Sequence, residues 1–319
     1  MTDHPIDLSF GGRLRIPLIV APMFLVSSPE LAIAACGKGV MGSFPAHSTR
    51  TRDDFAKWLE LTEAGLQDLR NQGIDPAPYA VNLVVNETNP RFEGDLELCI
   101  ENEVEMILTS KGAPTDVFDR IHEYGGVAFH DVASRRHAEK ALAAGADGII
   151  AVCNGAGGHT GQQNPFGLVN EIRQLTDKPI VLAGALSTGQ DIVAARAMGA
   201  DMAYMGTRFI ACPESLAPDA YGEMLVQSGA KDVFYTEALD GYPMTVLVPS
   251  LANADMTLED LKRLQPGEKI GAHQAKARFK SIWSAGHGVG AVSSCAPAAE
   301  VCDEIIDQYE VALERVRAL

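Results

Sequence analysis

HAEKALAAGADGIIAV, residues 137–152, and DIVAARAMGADMAYMG, residues 191–206, are two copies of one helix-to-strand unit. In each copy an alanine-rich helix ends at a glycine, Gly145 or Gly199, and the pair Ala-Asp then opens an apolar strand. Glycine most easily takes the left-handed conformation in which many helices end. A generic turn between helix and strand is enough to explain both copies, so they indicate a fold and carry no chemistry.

Eight short apolar runs along the chain have the length of strands. Each is too short for a helix and lacks alternating polar residues, which is typical of parallel strands covered on both faces. The runs are 17–22, 40–43, 80–85, 105–109, 126–130, 148–152, 179–183 and 202–205. Because helical segments separate them, the sequence predicts an α/β fold, a (β/α)8 TIM barrel.

The chain has 319 residues, and barrels of this type use about 250 residues as one unit. The alternation of strands and helices stops near Cys212, where helical stretches and an aromatic loop begin. We therefore expect a barrel in residues 1–212 and a smaller, mainly helical inserted cap region in residues 213–282. Residues 283–319 are expected to form a return segment and a C-terminal helix that packs on the barrel, with Pro297 at the first helical position.

Composition and charge exclude several classes of partner. A net charge of −16 and a pI near 4.9 repel nucleic acid and anionic lipid, so neither is an expected partner. No run of about 18 apolar residues and no signal-peptide pattern occur, so we expect no membrane span and a cytoplasmic location. The six cysteines are scattered without zinc spacing, which predicts buried, reduced thiols and no metal.

The C-terminal end of the sixth strand carries the first residues that suggest chemistry, because barrel active sites lie at that face. The strand runs into NGAGGHTG, residues 154–161, where four glycines surround His159. Glycines let a ligand approach the backbone closely, and an imidazole can act as base, acid or hydrogen-bond donor near neutral pH. A flexible surface loop with an incidental histidine is the competing interpretation.

Strands seven and eight end in sequences suited to a phosphate. AGALSTGQ, residues 183–190, makes Ser187 the expected N-cap of a helix starting near Gly189. MGTRF, residues 205–209, offers the N–H groups of Gly206 and Thr207 and a hydroxyl. Phosphate sites recur after these two strands in this fold. Tight turns need glycine anyway, but the two stretches together favour a phosphate-bearing ligand.

Seven motifs follow one another along the chain. They are IVAPM at 19–23, VNL at 81–83, FHDV at 129–132, AGGHTG at 156–161, LAGAL at 182–186, MGTRF at 205–209 and WSAG at 283–286. In this order they resemble the nitronate monooxygenase family, formerly called 2-nitropropane dioxygenases. That family also contains NAD(P)H:quinone reductases and flavin-type enoyl-acyl-carrier-protein reductases. The resemblance covers nearly the whole chain and is specific for the family, but it does not specify the substrate.

The resemblance implies that the barrel in residues 1–212 binds FMN without a covalent bond and that the substrate is a small molecule. It implies that Ala21, Pro22 and Met23 line the isoalloxazine ring and that Asn82 reaches the polar edge of the ring. It also implies that His130, at the end of the fifth strand, faces the flavin. Residues 283–286 would close over the ring region.

The resemblance assigns the catalytic and phosphate-binding residues as well. Gly158 would lie near the flavin, and His159 matches the active-site histidine of the family. The implied ligands of the FMN phosphate are Gly184, Ala185, Gly206 and Thr207.

Three positions depart from the family pattern. Ala185 replaces the second glycine of the usual phosphate loop, and FMN binding tolerates an alanine there if its φ is negative. Asp131 stands where some quinone-reductase members have lysine, and an acid would not help an anionic flavin, so we expect no flavin contact from it. His47, after the second strand, touches substrate in one interpretation and lies at a helix end or on the surface in the other.

Two reactions fit the family, and a third interpretation is outside it. In the first, an alkyl nitronate gives electrons to FMN and O2 takes them on, while His159 hydrogen-bonds the nitronate or removes a proton from a neutral nitroalkane. In the second, NADH or NADPH is the reductant and a quinone or enoyl thioester is received by a cap that includes Tyr235 and Tyr242. In the third, the barrel binds another phosphorylated ligand or has lost flavin. The sequence favours nitronate oxidation, and the expected oligomer is a homodimer.

Overall fold

The computed structural model describes residues 6–86, 89–112, 116–239, 241–263 and 281–318. Eight parallel strands form one sheet, with bounds β1 Leu18–Val20, β2 Ser43–Pro45, β3 Ala80–Val84, β4 Met106–Ser110, β5 Val127–Val132, β6 Gly148–Val152, β7 Ile180–Ala183 and β8 Met202–Met205. The strand order is β1-β8-β7-β6-β5-β4-β3-β2. A parallel bridge between Ile19 and Met41 joins the two ends of this order. The predicted (β/α)8 barrel is confirmed.

Helices follow the strands on the outside of the barrel. Their bounds are α1 Pro29–Cys36, α2 Arg52–Asn71, α3 Phe92–Glu101, α4 Val117–Glu123, α5 Arg135–Ala143, α6 Pro165–Arg173, α7 Gly189–Ala197, α8 Thr207–Ile210, α9 Asp219–Val226, α10 Leu258–Arg263 and α11 Ala298–Arg317. Because α11 packs against both α7 and α1, it takes the position of the eighth barrel helix. Within the described ranges, no helix combines the length and the apolar character that crossing a bilayer requires.

The aspartate of each repeated unit ties its strand to the neighbouring one. Asp147 Oδ2 accepts a backbone N–H from the start of β5 (2.8 Å), and Asp201 Oδ2 accepts one from the start of β7 (2.7 Å). Gly145 and Gly199 have φ angles of 105° and 103°, so the predicted left-handed helix ends are confirmed. The repeat is therefore a structural joint of the barrel.

Alternate residues of each strand point into the barrel, and the others point towards the helices. The interior cluster consists of Ile19, Met41, Ala80, Met106, Leu108, Phe129, Ile150, Val181, Ala183 and Met202. Ile6, Leu8 and Phe10 of the N-terminal segment pack against this cluster. Arg13, close by, donates to Glu105 just before β4, so this segment covers the end where the strands begin. The loops that follow the strands form the opposite mouth.

The region predicted as a cap contains an antiparallel hairpin in addition to its helices. β9 (Val233–Thr236) pairs with β10 (Met244–Leu247), and α9 and α10 lie before and after them in the chain. A small apolar cluster includes Leu239, Val246 and Leu261 of this region. Residues 264–280 of the predicted cap lie outside the described residues. The division into 1–212, 213–282 and 283–319 stays a prediction.

Several predicted element boundaries differ from the structure by one to three residues, and two of these differences have a clear local cause. The second strand occupies Ser43–Pro45 and not residues 40–43. Gly42 lies directly against α1, where a Cβ would approach the carbonyl oxygen of Ala32 to 2.4 Å, so the chain enters the strand only after this contact. Pro297 is the N-cap of α11 and not its first residue, because its ψ of 144° is extended.

Candidate active site

The glycine-rich loop after β6 folds back over the end of its own strand. Thr160 Oγ1 donates to the carbonyl of Cys153 (2.9 Å), and the Asn154 N–H donates to the carbonyl of Gln163 (2.8 Å). Gly161 approaches the strand so closely that a Cβ would lie 2.1 Å from the carbonyl oxygen of Val152. These contacts give the loop a defined conformation at the barrel mouth.

Residues of β10 and of the WSAG segment bond to the position just before His159. The Thr245 N–H donates to the carbonyl of Gly158 (3.0 Å), and the Gly158 N–H donates to Ser284 Oγ (2.7 Å). Ser284 Oγ in turn donates to the carbonyl of Thr245 (2.6 Å). The residue before His159 is therefore held between β10 and the WSAG segment.

His159 itself projects from this loop with an exposed side chain. Its backbone lies opposite Met244 of β10 in an antiparallel bridge. Its ring packs edge-on against Tyr242, with ring centroids 6.1 Å apart. The ammonium of Lys111 lies 5.7 Å from the centroid of the same Tyr242 ring. An imidazole, a phenol and a cation thus share one side of the mouth, which suits an anionic or polar substrate.

Backbone segments without bulky side chains converge on the hydroxyl of Thr207. The Gly286 N–H donates to Thr207 Oγ1 (2.8 Å). A Cβ on Gly157 would lie 3.0 Å from the Gly286 nitrogen and 3.3 Å from Thr207 Oγ1. The loops after β6 and β8 and the WSAG segment therefore meet as a backbone-lined cradle, a kind of surface that suits an anion.

Gly184 and Ala185 turn the chain at the end of β7. Gly184 has a φ of 140° and Ala185 a φ of 60°, so an alanine occupies the left-handed region that favours glycine. The negative φ on which we based the tolerance of alanine here is therefore wrong. The Ala185 N–H donates to the carbonyl of Gly155 (3.1 Å), and a phosphate contact at this N–H would compete with that bond.

The start of α7 is capped by side chains of the protein. Thr188 is the N-cap, and its hydroxyl accepts the Asp191 N–H (3.3 Å). Asp191 Oδ2 accepts the N–H groups of Ser187 (2.8 Å) and Thr188 (2.9 Å), and the Gly189 N–H donates to Gln308 of α11 (3.0 Å). The prediction of Ser187 as the N-cap is wrong because the capping box pairs Thr188 with Asp191.

The side-chain hydroxyl of Ser187 takes no part in the capping box of α7. Its Oγ is buried and has no hydrogen-bond partner among the described residues. It lies against Gly288, where a Cβ would approach it to 2.1 Å. Because buried hydroxyls in folded proteins nearly always bond to something, this one indicates a place for a ligand or water.

The residues after β1 run beside the end of β8. The Ala21 N–H donates to the carbonyl of Met205 (2.9 Å). A Cβ on Gly206 would lie 3.2 Å from Met23 Sδ and 3.6 Å from Ala21 Cβ. Ala21, Pro22 and Met23 all keep part of their surface accessible. Ala21 and Met23, which are predicted to line the flavin ring, are thus neighbours of Gly206, which is predicted to bind the phosphate.

Asn82 points into the barrel from β3. It lies on the same face of β3 as Ala80, a member of the interior cluster. Ala80 comes two residues earlier in the strand and is further from the mouth. Its Nδ2 donates to the carbonyl of Leu108 (3.1 Å) and to Ser110 Oγ (3.3 Å), both on β4. The amide is therefore oriented by the neighbouring strand.

His130 faces away from the barrel interior. Its ring lies edge-on to Phe118 of α4, with centroids 6.4 Å apart, and its Nδ1 is 2.8 Å from Thr109 Oγ1. Burial lowers the pKa of His130 to about 4, so the ring is neutral at pH 7. The prediction that His130 faces the flavin therefore needs correction. Alternate residues of β5 point in opposite directions, and Phe129 and Asp131 are the inward ones.

Asp131 and Tyr204 are interior polar residues that our sequence reasoning did not assign to the site. Burial raises the pKa of Asp131 to about 7 and raises the pKa of Tyr204 too, to which a charge on Asp131 would add. Both come from strands that are otherwise largely apolar, FHDV and MAYM. A polar residue in such a strand is the signal that could have found them, once the inward face is known.

Most of the predicted site residues lie around one mouth. The structure brings together Ala21, Pro22, Met23, Gly158, His159, Gly184, Ala185, Gly206 and Thr207 at or near the ends of β1, β6, β7 and β8, with Asn82 on the inner face of β3. His130 is outside this group. The functional roles of all these residues stay predictions.

The sequence profile of the nitronate monooxygenase family matches residues 12–308. The chain belongs to the nitronate monooxygenase family. This family member is 25% identical to the nitronate monooxygenase of Paraburkholderia phytofirmans, with 94% of each chain covered. The structure of FabK from Thermotoga maritima superposes with a TM-score of 0.80 at 26% identity and covers 98% of each chain.

A second kind of relative is a dehydrogenase. The (3aS,4S,5R,7aS)-5-hydroxy-7a-methyl-1-oxo-octahydro-1H-indene-4-carboxyl-CoA dehydrogenase of Rhodococcus jostii is 26% identical over 238 residues. The match covers 75% of this chain and 64% of the dehydrogenase, so it spans less than two thirds of that relative's length. Monooxygenase and dehydrogenase are both names of oxidoreductases, and this family member is similar to both.

Proposed function

We propose that this family member is an FMN-dependent nitronate monooxygenase that oxidises alkyl nitronates with O2. The observation that carries the proposal is the position of His159. Its exposed imidazole is anchored between the end of β6 and the cap, beside a backbone-lined cradle at the barrel mouth.

The residues of the mouth fit the phosphate of FMN. The hydroxyls of Thr207 and Ser187 lie among glycines, and Ser187 Oγ has no partner in the part of the chain that the structure describes. An unmade hydrogen bond at a buried hydroxyl costs about 1–3 kcal/mol, so a phosphate oxygen that accepts it stabilises the complex. Asp191 opposes an anion at the first turn of α7. We therefore assign the phosphate to the side of Gly206 and Thr207, with Gly184 and Ala185 as neighbours.

The ring would lie along Ala21, Pro22 and Met23, with the Asn82 amide on the interior side. FMN supplies the redox chemistry when bound, taking electrons from the substrate and passing them to O2. The chain supplies binding, orientation and charge.

His159 binds and orients the substrate. A nitronate carries negative charge on its oxygens, and an imidazole N–H can donate a hydrogen bond to one of them. With a neutral nitroalkane, the same imidazole accepts the proton from the carbon next to the nitro group. Lys111, next to Tyr242, adds positive charge on that side of the mouth and favours an anionic substrate.

A thiol mechanism at the same strand end is unsupported. Cys153 is fully buried, and burial raises the pKa of its thiol to about 12. A thiolate nucleophile is therefore not available there at neutral pH. This argues against a barrel that uses Cys153 on another phosphorylated ligand.

The second candidate is NADH- or NADPH-dependent reduction of a quinone or enoyl thioester at the same flavin. The similarity to a carboxyl-CoA dehydrogenase favours this second candidate, because the name of that relative gives a thioester of coenzyme A as its substrate. Tyr235, expected to receive such a substrate, is bonded to Gln162 (2.5 Å) and Glu237 (2.8 Å). That network ties the hairpin to the loop after His159.

Anaerobic mixing separates the two candidates. The FMN-loaded protein is mixed in parallel with NADH, NADPH and a simple alkyl nitronate, and loss of the oxidised flavin absorbance is followed. Bleaching by the nitronate alone supports nitronate oxidation. Rapid bleaching by NADH or NADPH supports the reductase. A colourless protein that takes up no FMN contradicts both candidates. A homodimer and a cytoplasmic location stay predictions.

A further inference from the structure

Two polar atoms in the upper barrel interior have no hydrogen-bond partner among the described residues. They are Asp131 Oδ1 and Tyr204 Oη, and both are buried. Each side chain as a whole nevertheless keeps some accessible surface. Since native structures leave few buried polar atoms unpaired, two of them beside an accessible space indicate that something else bonds them.

The strand pattern places both groups on the inward face, near the mouth. Phe129 and Met202 belong to the apolar interior cluster, and Asp131 and Tyr204 come two residues later on the same inward faces. Each is therefore the last inward-facing residue of its strand, since β5 ends at Val132 and β8 ends at Met205. Both positions therefore adjoin the mouth where His159 and the cradle lie. Burial raises the pKa of Tyr204, and a charge on Asp131 would raise it further.

We propose that Asp131 is an uncharged carboxylic acid on the floor of the cofactor cleft and donates its O–H to an acceptor atom of bound FMN, with Tyr204 as a second donor. This inference rests on the proposed FMN dependence. It also resolves the departure from the family pattern, since only a charged acid would oppose an anionic flavin.

The surroundings of Asp131 favour its uncharged form. Ile150 of β6 is paired with Asp131 in the sheet register. Tyr204 of β8 is a titratable group with which Asp131 interacts electrostatically. Burial alone raises the pKa of Asp131 to about 7, and no cation of the described ranges, Lys111 and His159 at the mouth included, lowers it. A cation would hold the carboxylate charged, and burial without one holds the proton on the carboxyl group.

The test is the pH dependence of FMN affinity, measured by flavin fluorescence for the wild type, Asp131→Asn and Tyr204→Phe. If only the protonated acid binds, the dissociation constant of the wild type rises about fiftyfold between pH 7 and pH 9, as expected for one linked proton at a group that titrates near 7. Asp131→Asn keeps a donor without a charge, so its affinity changes far less over this range. Tyr204→Phe keeps the slope and binds more weakly at every pH.

Equal slopes for the wild type and Asp131→Asn would overturn the proposal while leaving FMN dependence intact. Failure to take up FMN at any pH would instead reject the proposed function. A second measurement depends on neither the variants nor bound FMN. The infrared C=O band of a protonated carboxyl group should be present in the wild type at pH 6 and lost as the pH rises past about 7. Its absence at pH 6 would contradict the uncharged acid even if Asp131→Asn fails to fold.

Discussion

The Thr245 N–H in the cap donates a 3.0 Å hydrogen bond to the carbonyl of Gly158, the residue before His159. Ser284 bonds to both of these residues, so the WSAG segment and β10 jointly hold the base of the histidine loop. The barrel supplies the strand from which this loop starts, and β10 and the WSAG segment fix where the loop lies. Changes in these two segments should therefore alter catalysis without touching the substrate directly.

Removal of the Ser284 hydroxyl tests this dependence. Ser284→Ala leaves the Gly158 N–H without its acceptor, and the loop that carries His159 loses one of its anchors. We expect kcat/KM with a nitronate to fall between about tenfold and about 100-fold at saturating FMN, because a shift of about 1 Å at a reacting group has such effects. Steady-state oxygen consumption measures it.

Ser228→Ala is the matched control. It removes a serine hydroxyl that donates to the carbonyl of Met224 (2.7 Å) on α9, away from the loop. Its kcat/KM should stay within about twofold of the wild type. If Ser284→Ala is as active as Ser228→Ala, the Ser284 hydroxyl does not position the loop that carries His159.

The left-handed alanine after β7 predicts a stabilising substitution. Ala185 has a φ of 60° and an exposed side chain, so glycine loses no buried surface there and relieves the strain. We expect Ala185→Gly to raise the free energy of unfolding by about 1 kcal/mol in urea denaturation. Ala194→Gly, at an exposed position inside α7, should lower it by about 1 kcal/mol instead. A loss of stability in Ala185→Gly would mean that the turn is unstrained.

The buried ring of His130 predicts a pH-dependent stability. Its pKa is lowered to about 4 in the folded protein, whereas an unfolded histidine titrates near 6.5. Below pH 6.5 the unfolded chain binds a proton that the folded protein does not, so stability is lost as the pH falls from 6.5 towards 4. Between pH 7 and pH 5 this costs about 2 kcal/mol.

Urea unfolding of the wild type and His130→Gln at both pH values isolates this contribution. The variant cannot bind the proton, while all other titrating groups are shared. The difference in unfolding free energy between the two proteins should therefore shrink by about 2 kcal/mol from pH 7 to pH 5. A constant difference would indicate that the ring is accessible and faces the mouth after all.

The sequence predicted the barrel well because local patterns carry it. Gly145 and Gly199 end helices in the left-handed conformation, as glycine in those positions indicates. The N-cap of α7 was misassigned between two adjacent hydroxyl residues. Asp191, three residues after Thr188, is the capping-box signal that distinguishes Thr188 from Ser187.

The site was harder to predict because its decisive contacts are not local. In a strand buried on both faces, no polar alternation tells which residues point inward, so His130 and Asp131 could not be separated. A shift of one residue exchanges the two faces. The bridge between His159 and Met244 joins the barrel to a hairpin far along the chain, and no short-range pattern encodes it.

The most direct test of the account is the rate at which a nitronate bleaches the flavin in His159→Ala, measured by anaerobic stopped flow with FMN saturated. With the imidazole gone, the substrate loses its hydrogen bond and orientation, so we predict bleaching at least about 100-fold slower than in the wild type, with FMN still bound. Bleaching at the wild-type rate would contradict the claim that His159 binds and orients the substrate at the flavin.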